Sequence, residues 1–261
     1  MQKVKPLKRY GQNYLHDKNI IKKIVSVIDP RPNDIIVEIG PGRGALTELI
    51  YGKTQNFIAV EIDKRVIDDL RTKFPKLNLI HSDFLKVDLL KIYTTAKKKI
   101  RIIGNIPYNL TSPIIFRAIA NSELIKDTVI MVQYDVAKRM TANKGTKDYG
   151  ILSVLLKFFS EIKLCFKVSP NAFYPKPKIT SAVVHIKLKE LNISKSEQDT
   201  YIKIVKASFG NRRKTLRNSL SNSIFSALNF SETDIDLSLR AEQLDVKEFI
   251  TLAAYAHKQL G

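Results

Sequence analysis

The 261-residue sequence holds a single cysteine, Cys165, set in an apolar run. No intramolecular disulfide framework is available, and the chain fits a reducing cytosol. Four histidines, His16, His81, His185 and His257, are scattered without the spacing of metal ligands, so no metal site is expected. No apolar run reaches the ~20 residues of a membrane span. The first residues are basic, but Pro6 and polar residues follow where a signal peptide would carry its apolar core. These absences point to a mature cytoplasmic protein with no membrane partner. Internal repeats, low-complexity tracts and heptads are also missing, and no dimer face is evident, so a monomer is expected. Acidic residues are scarce: 25 stand against 44 Lys and Arg, a net charge of +19. Such an excess favours a polyanionic partner through phosphate neutralisation and counterion release, without saying which polyanion. The length and a hydrophobic fraction of 44% allow one sizeable α/β domain and a smaller one.

The first half of the chain reads as a nucleotide-binding βαβ series. Asp17 is placed to cap a helix carrying Ile20, Ile21, Ile24, Val25 and Ile28 at helical spacing, which stops before Pro30 and Pro32. Asp34 to Ile39 is predicted as a buried strand running into Gly40-Pro41-Gly42-Arg43-Gly44 and a helix over Ala45 to Tyr51. Glycines after a strand let a ligand approach the backbone closely. Their G-x-G-x-G spacing is neither the dinucleotide fingerprint nor a phosphate loop ending in Gly-Lys-Ser/Thr, which disfavours NAD and ATP. A second strand, Phe57 to Glu61, ends in a carboxylate 21 residues after Gly40, suited to ribose hydroxyls. A helix over Lys64 to Phe74 and a third strand, Leu77 to His81, lead to Asp83, an acceptor for an adenine amino group. Each acid alone is more often a cap or a surface residue. Three successive strand ends bearing Gly, Glu and Asp carry more weight, because ligands of open α/β sheets bind beyond the carboxyl ends of the strands.

The fourth strand, Ile100 to Asn105, ends in Gly104-Asn105-Ile106-Pro107-Tyr108. A short amide, a proline that fixes the backbone and an aromatic ring form a clamp for a flat base bearing an amino group. The chemistry this implies is methyl transfer to an exocyclic amine, whose lone pair is delocalised into the ring. An Asn oxygen and a backbone carbonyl accepting its two N–H bonds would localise that pair, and no strong base is then required. A stacked Tyr holds the base in line, and such positioning can lower a barrier by as much as ~7–11 kcal/mol. Asn-x-Pro-Tyr on its own is equally an ordinary turn.

Thr111 or Ser112 is expected to cap a helix through Ala120, with Pro113 in its first turn. A fifth strand over Thr128 to Gln133, a helix over Tyr134 to Met140, a mobile loop over Thr141 to Tyr149 and a helix over Ile151 to Phe159 follow. Strands near Ile162 to Val168 and Ser181 to Leu188 complete a seven-stranded sheet. Between them Phe173-Tyr174-Pro175-Lys176-Pro177-Lys178 is either a base-stacking, phosphate-contacting segment or a Pro-stiffened connection. A linker near Glu190 to Ser196 precedes a helical segment whose Arg212-Arg213-Lys214-Thr215-Leu216-Arg217 cations would grip an RNA backbone or simply face water. The basic N-terminal stretch, with Lys3, Lys5, Lys8 and Arg9, is an extended arm lying on RNA or a solvated tail.

Assembled, these stretches resemble the KsgA-type ribosomal RNA adenine dimethyltransferases over nearly the whole chain. Gln12 to Asp17 matches the N-terminal motif of that family, and Val37 to Thr47 (VEIGPGRGALT), Val60 to Asp63 and Ser82 to Leu85 match its S-adenosylmethionine motifs. Asn105 to Tyr108 matches the catalytic motif. Phe173 to Pro177 followed by Ser181 to Val184 is similar to the late motif, although Ile179-Thr180 replaces the more usual Val-Asp or Val-Asn. The resemblance implies a Rossmann-like class I S-adenosylmethionine-dependent methyltransferase domain, residues 1–190, with a seven-stranded mostly parallel sheet. A small all-helical RNA-binding domain, 191–261, would follow. It implies S-adenosylmethionine as methyl donor, contacted by Asn13, Leu15, Gly40, Gly42, Glu61, Asp83 and Asn105. Asn105 and the Pro107 carbonyl would orient the target amine, while Tyr108 and Phe173 sandwich the base. The implied substrate is small-subunit (16S) ribosomal RNA in an immature 30S subunit, dimethylated at N6 of two adjacent adenosines of the 3′-terminal hairpin loop. Related large-subunit dimethyltransferases of the macrolide-resistance type share several motifs, but the Arg-Arg-Lys-Thr-Leu-Arg-Asn-Ser-Leu and Arg-Ala-Glu-Gln-Leu segments and Pro113 look like the small-subunit branch. A DNA adenine methyltransferase would carry Asp/Asn-Pro-Pro-Tyr, and Ile106 occupies the first of those proline positions. The remaining alternative is a non-catalytic assembly factor that has kept the fold.

Overall fold

Uninterrupted apolar runs and well-capped helices set the architecture. The computed structural model describes residues 5–7, 10–211 and 213–260. The strands are Tyr14–Leu15 (β1), Ile35–Ile39 (β2), Asn56–Glu61 (β3), Asn78–His81 (β4), Ile100–Asn105 (β5), Ile125–Gln133 (β6), Ser160–Val168 (β7), Phe173–Tyr174 (β8) and Ser181–Leu188 (β9). The α-helices are Lys18–Ile28 (α1), Thr47–Ile50 (α2), Lys64–Lys73 (α3), Leu89–Ala96 (α4), Thr111–Ala120 (α5), Tyr134–Thr141 (α6), Ile151–Phe159 (α7), Lys195–Ser208 (α8), Leu216–Ser221 (α9) and Val246–Leu260 (α10).

Seven strands form one sheet in the order β4-β3-β2-β5-β6-β9-β7. Neighbours from β4 through β6 run parallel, and β9 is antiparallel to β6. All five residues of β2 are buried, as a strand covered on both faces requires. Strand order reverses at β2, with β3 on one side and β5 on the other, and a crevice opens beyond carboxyl ends at such a switch point. Gly104 permits the β2–β5 approach: it lies opposite Ile39, and a Cβ there would come within 2.6 Å of the Ile39 carbonyl oxygen. β1 and β8 form a separate antiparallel ribbon in which Tyr14 faces Tyr174 and Leu15 faces Phe173.

Helix α1 starts where the sequence places it. The Asp17 carboxylate accepts from the Asn19 and Ile20 amides, and Ile21, Ile24, Val25 and Ile28 turn inward to the core. Other boundaries shift. Helix α5 begins at Thr111 with Leu110 as its cap residue and no side-chain capping bond, so neither Thr111 nor Ser112 caps it. The expected Ala45–Tyr51 helix contracts to α2, because Gly44 adopts φ +82° and the chain turns through Leu46 first. Strand β6 starts at Ile125, ahead of the expected Thr128. The early start includes Asp127, whose charge is met by Arg101 Nε and Nη2 at 2.8 Å and by His185 Nε2 at 2.8 Å. Burial alone would raise the Asp127 pKa, but these partners hold it down at about 2.

The chain divides into two units: residues up to Ala137 with Ile162–Lys189, and Lys138–Glu161 with the residues from Glu190 onward. The second unit therefore includes α7, which a division at 190 assigns to the first. The reason is visible in its packing, where Phe158 stacks on Tyr201 of α8 at 4.0 Å between centroids and Phe159 meets the same ring edge-on. Within this unit α8 begins with a capping box of Ser194 and Glu197, and Phe209 stacks on Phe249 of α10 at 5.7 Å. The expected loop over 141–149 ends in Tyr149, which is buried and donates through its hydroxyl to the Leu244 carbonyl at 3.0 Å. Arg213, Lys214 and Arg217 are exposed while Leu216 and Leu220 are buried; Arg212 lies outside the described residues, as do Lys3, Lys8 and Arg9 of the N-terminal stretch.

Candidate active site

Four strand ends and the segment before α1 converge on one cavity of the first unit, with about 1100 Å³ of empty space open to solvent. Asn13, Leu15, Gly40, Gly42, Glu61, Asp83, Asn105, Pro107 and Tyr108 all line it, although they span almost a hundred residues of sequence. Gly40 and Gly42 adopt φ +63° and +54°, left-handed values that glycine takes at no steric cost. A Cβ on Gly42 would also come within 2.9 Å of the Tyr14 ring, which forms the adjoining wall and has the Arg43 guanidinium 4.5 Å from its centroid.

Glu61 closes the side beyond β3. Its two carboxylate oxygens accept from the Gly42 amide at 3.0 Å and the Asp63 amide at 2.8 Å, so it ties the glycine turn to the next strand end. Burial pushes its pKa up, and the two backbone hydrogen bonds oppose that rise. A carboxylate oxygen can accept more than one hydrogen bond, so a ligand hydroxyl can still be taken up here. Glu38, one strand over, is more deeply buried and is pushed up to about 8; the Thr47 hydroxyl at 2.7 Å counteracts the rise, while the Glu61 charge adds to it. Asp63 is held low despite burial by hydrogen bonds from Arg65 and Gln12, the latter at 2.8 Å. Asp83 combines the two readings of a strand-end acid. One oxygen caps a short turn through the Leu85 amide at 2.9 Å, and the side chain still lines the cavity.

The far wall is the Asn105–Tyr108 segment. Asn105 Nδ2 donates to the Asn13 carbonyl at 2.8 Å, so the amide nitrogen is committed and Oδ1 remains as the acceptor. The Pro107 carbonyl accepts one bond, from the Leu110 amide at 2.9 Å, leaving a second lone pair. Tyr108 is half-buried, and its hydroxyl is 2.9 Å from Ser181 Oγ at the start of β9. The aromatic ring is thereby tied to a strand 73 residues away.

Phe173 does not join this group. Its ring is 4% exposed within the core, and it does not line the cavity. Alternation along β8 turns Phe173 inward and Tyr174 outward. Tyr14, Gln12, Glu38 and Ser181 are structural contributors that the sequence does not single out. Gln12 and Tyr14 lie inside a stretch whose pattern is visible, but their partners Asp63 and Gly42 are distant in sequence.

The donor set fits a nucleoside better than a nucleotide phosphate. Carboxylates at Glu61 and Asp83 offer acceptors for ribose and amino groups, and Ile62, 45% exposed, adds an apolar face beside them. Among the described residues no cluster of His, Cys, Asp and Glu is arranged to hold a metal ion, and no helix is long and apolar enough to cross a membrane.

Residues 4–258 match the family model described as ribosomal RNA adenine dimethylase. A relative named ribosomal RNA small subunit methyltransferase A, from Francisella tularensis, is 40% identical over 257 residues, covering 97% of this chain and 98% of its own. A dimethyladenosine transferase from Plasmodium falciparum superposes with a TM-score of 0.76 at 25% identity, covering 91% of this chain and 95% of the other. The 23S rRNA methyltransferase ErmE shares the fold, with a TM-score of 0.68 at 23% identity over 94% of this chain and 99% of the other. The Rossmann-like methyltransferase fold is thus shared with both solved structures, and the chain belongs to the ribosomal RNA adenine dimethylase family.

Proposed function

We propose that this protein transfers methyl groups from S-adenosylmethionine to the exocyclic N6 amines of two adjacent adenosines in the 3′-terminal hairpin loop of small-subunit ribosomal RNA. It acts late in subunit assembly, as a cytoplasmic monomer on an immature 30S particle. The single observation that carries the reading is the anchored Asn105 amide. With Nδ2 spent on the Asn13 carbonyl, Oδ1 and the Pro107 carbonyl are two acceptors on one wall of the cavity.

When bound, S-adenosylmethionine supplies an electrophilic methyl group carried on a sulfonium. Glu61 and Asp83 would hold its ribose and adenine amino groups, the Gly40–Gly42 turn would pass close to it, and Asn13 and Leu15 would close over it. The chain's own residues then act on the target. Asn105 Oδ1 and the Pro107 carbonyl accept the two N–H bonds of the amine and make its lone pair available. Tyr108, held by Ser181, stacks on the base. One transfer replaces an N–H by an N–CH3 bond, with the donor leaving as its neutral thioether and the displaced proton passing to water. The amine keeps one N–H, enough for Asn105 to orient it again, so a second transfer at the same nitrogen needs no new residue. The target adenine must leave its stack, at a cost of a few kcal/mol that is lower in a loop than in a duplex. The first unit carries this chemistry, and the exposed Arg213, Lys214 and Arg217 of the second unit bind RNA phosphates.

The test is transfer of labelled methyl groups to small subunits from cells lacking the activity, followed by mass spectrometry of the digested RNA. Dimethyladenosine at two adjacent loop positions is the expected product. Label on large-subunit RNA alone would move the protein to the macrolide-resistance branch. Tight subunit binding without label would mark a non-catalytic assembly factor.

A further inference from the structure

The aromatic ring that the late motif offers to solvent is Tyr174. It is 59% exposed, among the most exposed large apolar side chains of the described residues, and it is followed by exposed Lys176 and Lys178. Nothing in the chemistry above uses it. Its position follows from the β1–β8 ribbon. Tyr174 lies directly opposite Tyr14, and opposed residues of an antiparallel pair project to the same face with Cβ atoms about 4.5–5.5 Å apart. Tyr14 is a wall of the cavity, with its ring against Gly42. Tyr174 therefore shares a ribbon face with a wall residue of the cavity and lies one strand further out, without lining the cavity itself. The other end of the same segment runs through Ile179 and Thr180 to Ser181, the residue that holds the Tyr108 hydroxyl. Both ends of the Tyr174–Thr180 segment are thus fastened to residues that frame the cavity.

We propose that Tyr174 is a stacking platform for the nucleobase next to the adenosine in the cavity, with Lys176 and Lys178 meeting the adjoining phosphates. This rests on the function proposed above. A base drawn out of its loop leaves a neighbour with one face exposed, and an exposed aromatic side chain paired with a wall residue of the cavity replaces the lost stacking. For a substrate with two adjacent targets, the platform holds one adenosine while the other occupies the cavity. A second adenosine reaches the cavity by a one-nucleotide shift, with the first then outside. Phe173, turned into the core, has no free face for this.

The experiment measures kcat and KM for undermethylated small subunits with the wild type, Tyr174→Ala and Tyr174→Phe, alongside the affinity for S-adenosylhomocysteine. Tyr174→Ala is expected to raise KM about tenfold, the loss of one stacked base, with kcat within about twofold and cofactor affinity unmoved. Tyr174→Phe restores most of the loss. Subunits carrying a pyrimidine in place of the flanking purine, which stacks less well, raise KM for the wild type and leave Tyr174→Ala unaffected; a merely structural tyrosine would show no such dependence. Wild-type KM in Tyr174→Ala, or equal sensitivity of both proteins to the flanking base, overturns the inference while the function stands. A wild type that methylates no small-subunit adenosine overturns both.

Discussion

Asn105 shows how one side chain divides its valences. Its amide nitrogen is anchored and its oxygen is left for the substrate, so removing the side chain takes away orientation without touching the RNA-binding surface. Asn105→Ala is expected to lower kcat about 10²–10³-fold, the usual scale for one preorganised hydrogen-bonding group, with subunit binding largely retained in a filter assay. Unchanged methylation would reject the role. Glu38 gives a second residue-scale expectation. Its folded pKa is raised to about 8 by burial, above the ordinary carboxylate value it regains on unfolding. The folded state therefore binds the proton more tightly, and the stabilisation present at acid pH is lost as pH rises toward 8. Chemical denaturation at pH 5, 6.5 and 8 should show wild-type stability falling relative to Glu38→Gln, whose oxygen still accepts from Thr47. A pH-independent difference between the two would show that Glu38 is ionised in the fold. Residue identities at the site are largely legible in the sequence, since Asn105, Glu61, Asp83 and the glycines stand at strand ends. Phe173 is not. The motif marks both Phe173 and Tyr174 as aromatic, and only the register with Leu15 and Tyr14 decides which one faces inward.

Elements are readable where the signal is local. A capping aspartate, a continuous apolar strand and a glycine turn each act within a few residues, so α1, β2 and β5 lie close to their expected bounds. The sequence predicts too short a β6 because Lys126 and Asp127 interrupt its apolar run. Arg101, 26 residues from Asp127, supplies the compensating charge and His185, 58 residues away, a further hydrogen bond, and no local window contains either. The same dependence on distant partners makes Gly104 a sensitive position. It looks like an ordinary strand glycine, yet an added Cβ would meet the Ile39 carbonyl oxygen of the neighbouring strand at 2.6 Å, where no flexible side chain is available to move. Gly104→Ala is expected to cost about 1–3 kcal/mol of stability, as overpacking does, read from the denaturation midpoint. Because Asn105 follows directly, the displaced strand should also weaken methylation by more than the stability loss explains. Wild-type activity at full folding would show that β2 and β5 tolerate the extra carbon and that Asn105 is positioned from Asn13 instead.

At the scale of the molecule, the net charge of +19 announces a polyanion, but composition does not assign the charge to a surface. The structure distributes it. Nor does the sequence place 138–161 with the later helices, because an amphipathic pattern fixes which face of α7 is buried and not against what. In that second unit Arg213, Lys214 and Arg217 are exposed around the start of α9, whose Leu216 and Leu220 face the interior. Exposed charges of this kind contribute little to folding, so their reversal separates binding from stability. The triple variant Arg213→Glu, Lys214→Glu, Arg217→Glu is expected to keep the wild-type melting temperature and affinity for S-adenosylhomocysteine while raising KM for small subunits at least tenfold. Its salt dependence is the more specific signature. Each phosphate that is no longer neutralised lowers the slope of log K against log salt by about 0.7–0.9, so three such phosphates should flatten the slope by about two to three units. A rise in KM with an unaltered slope would mean that the substitutions disturb shape recognition and leave phosphate neutralisation intact. An unaltered KM would assign the electrostatic grip to the basic side chains of the first unit, with Lys176 and Lys178 the next to test.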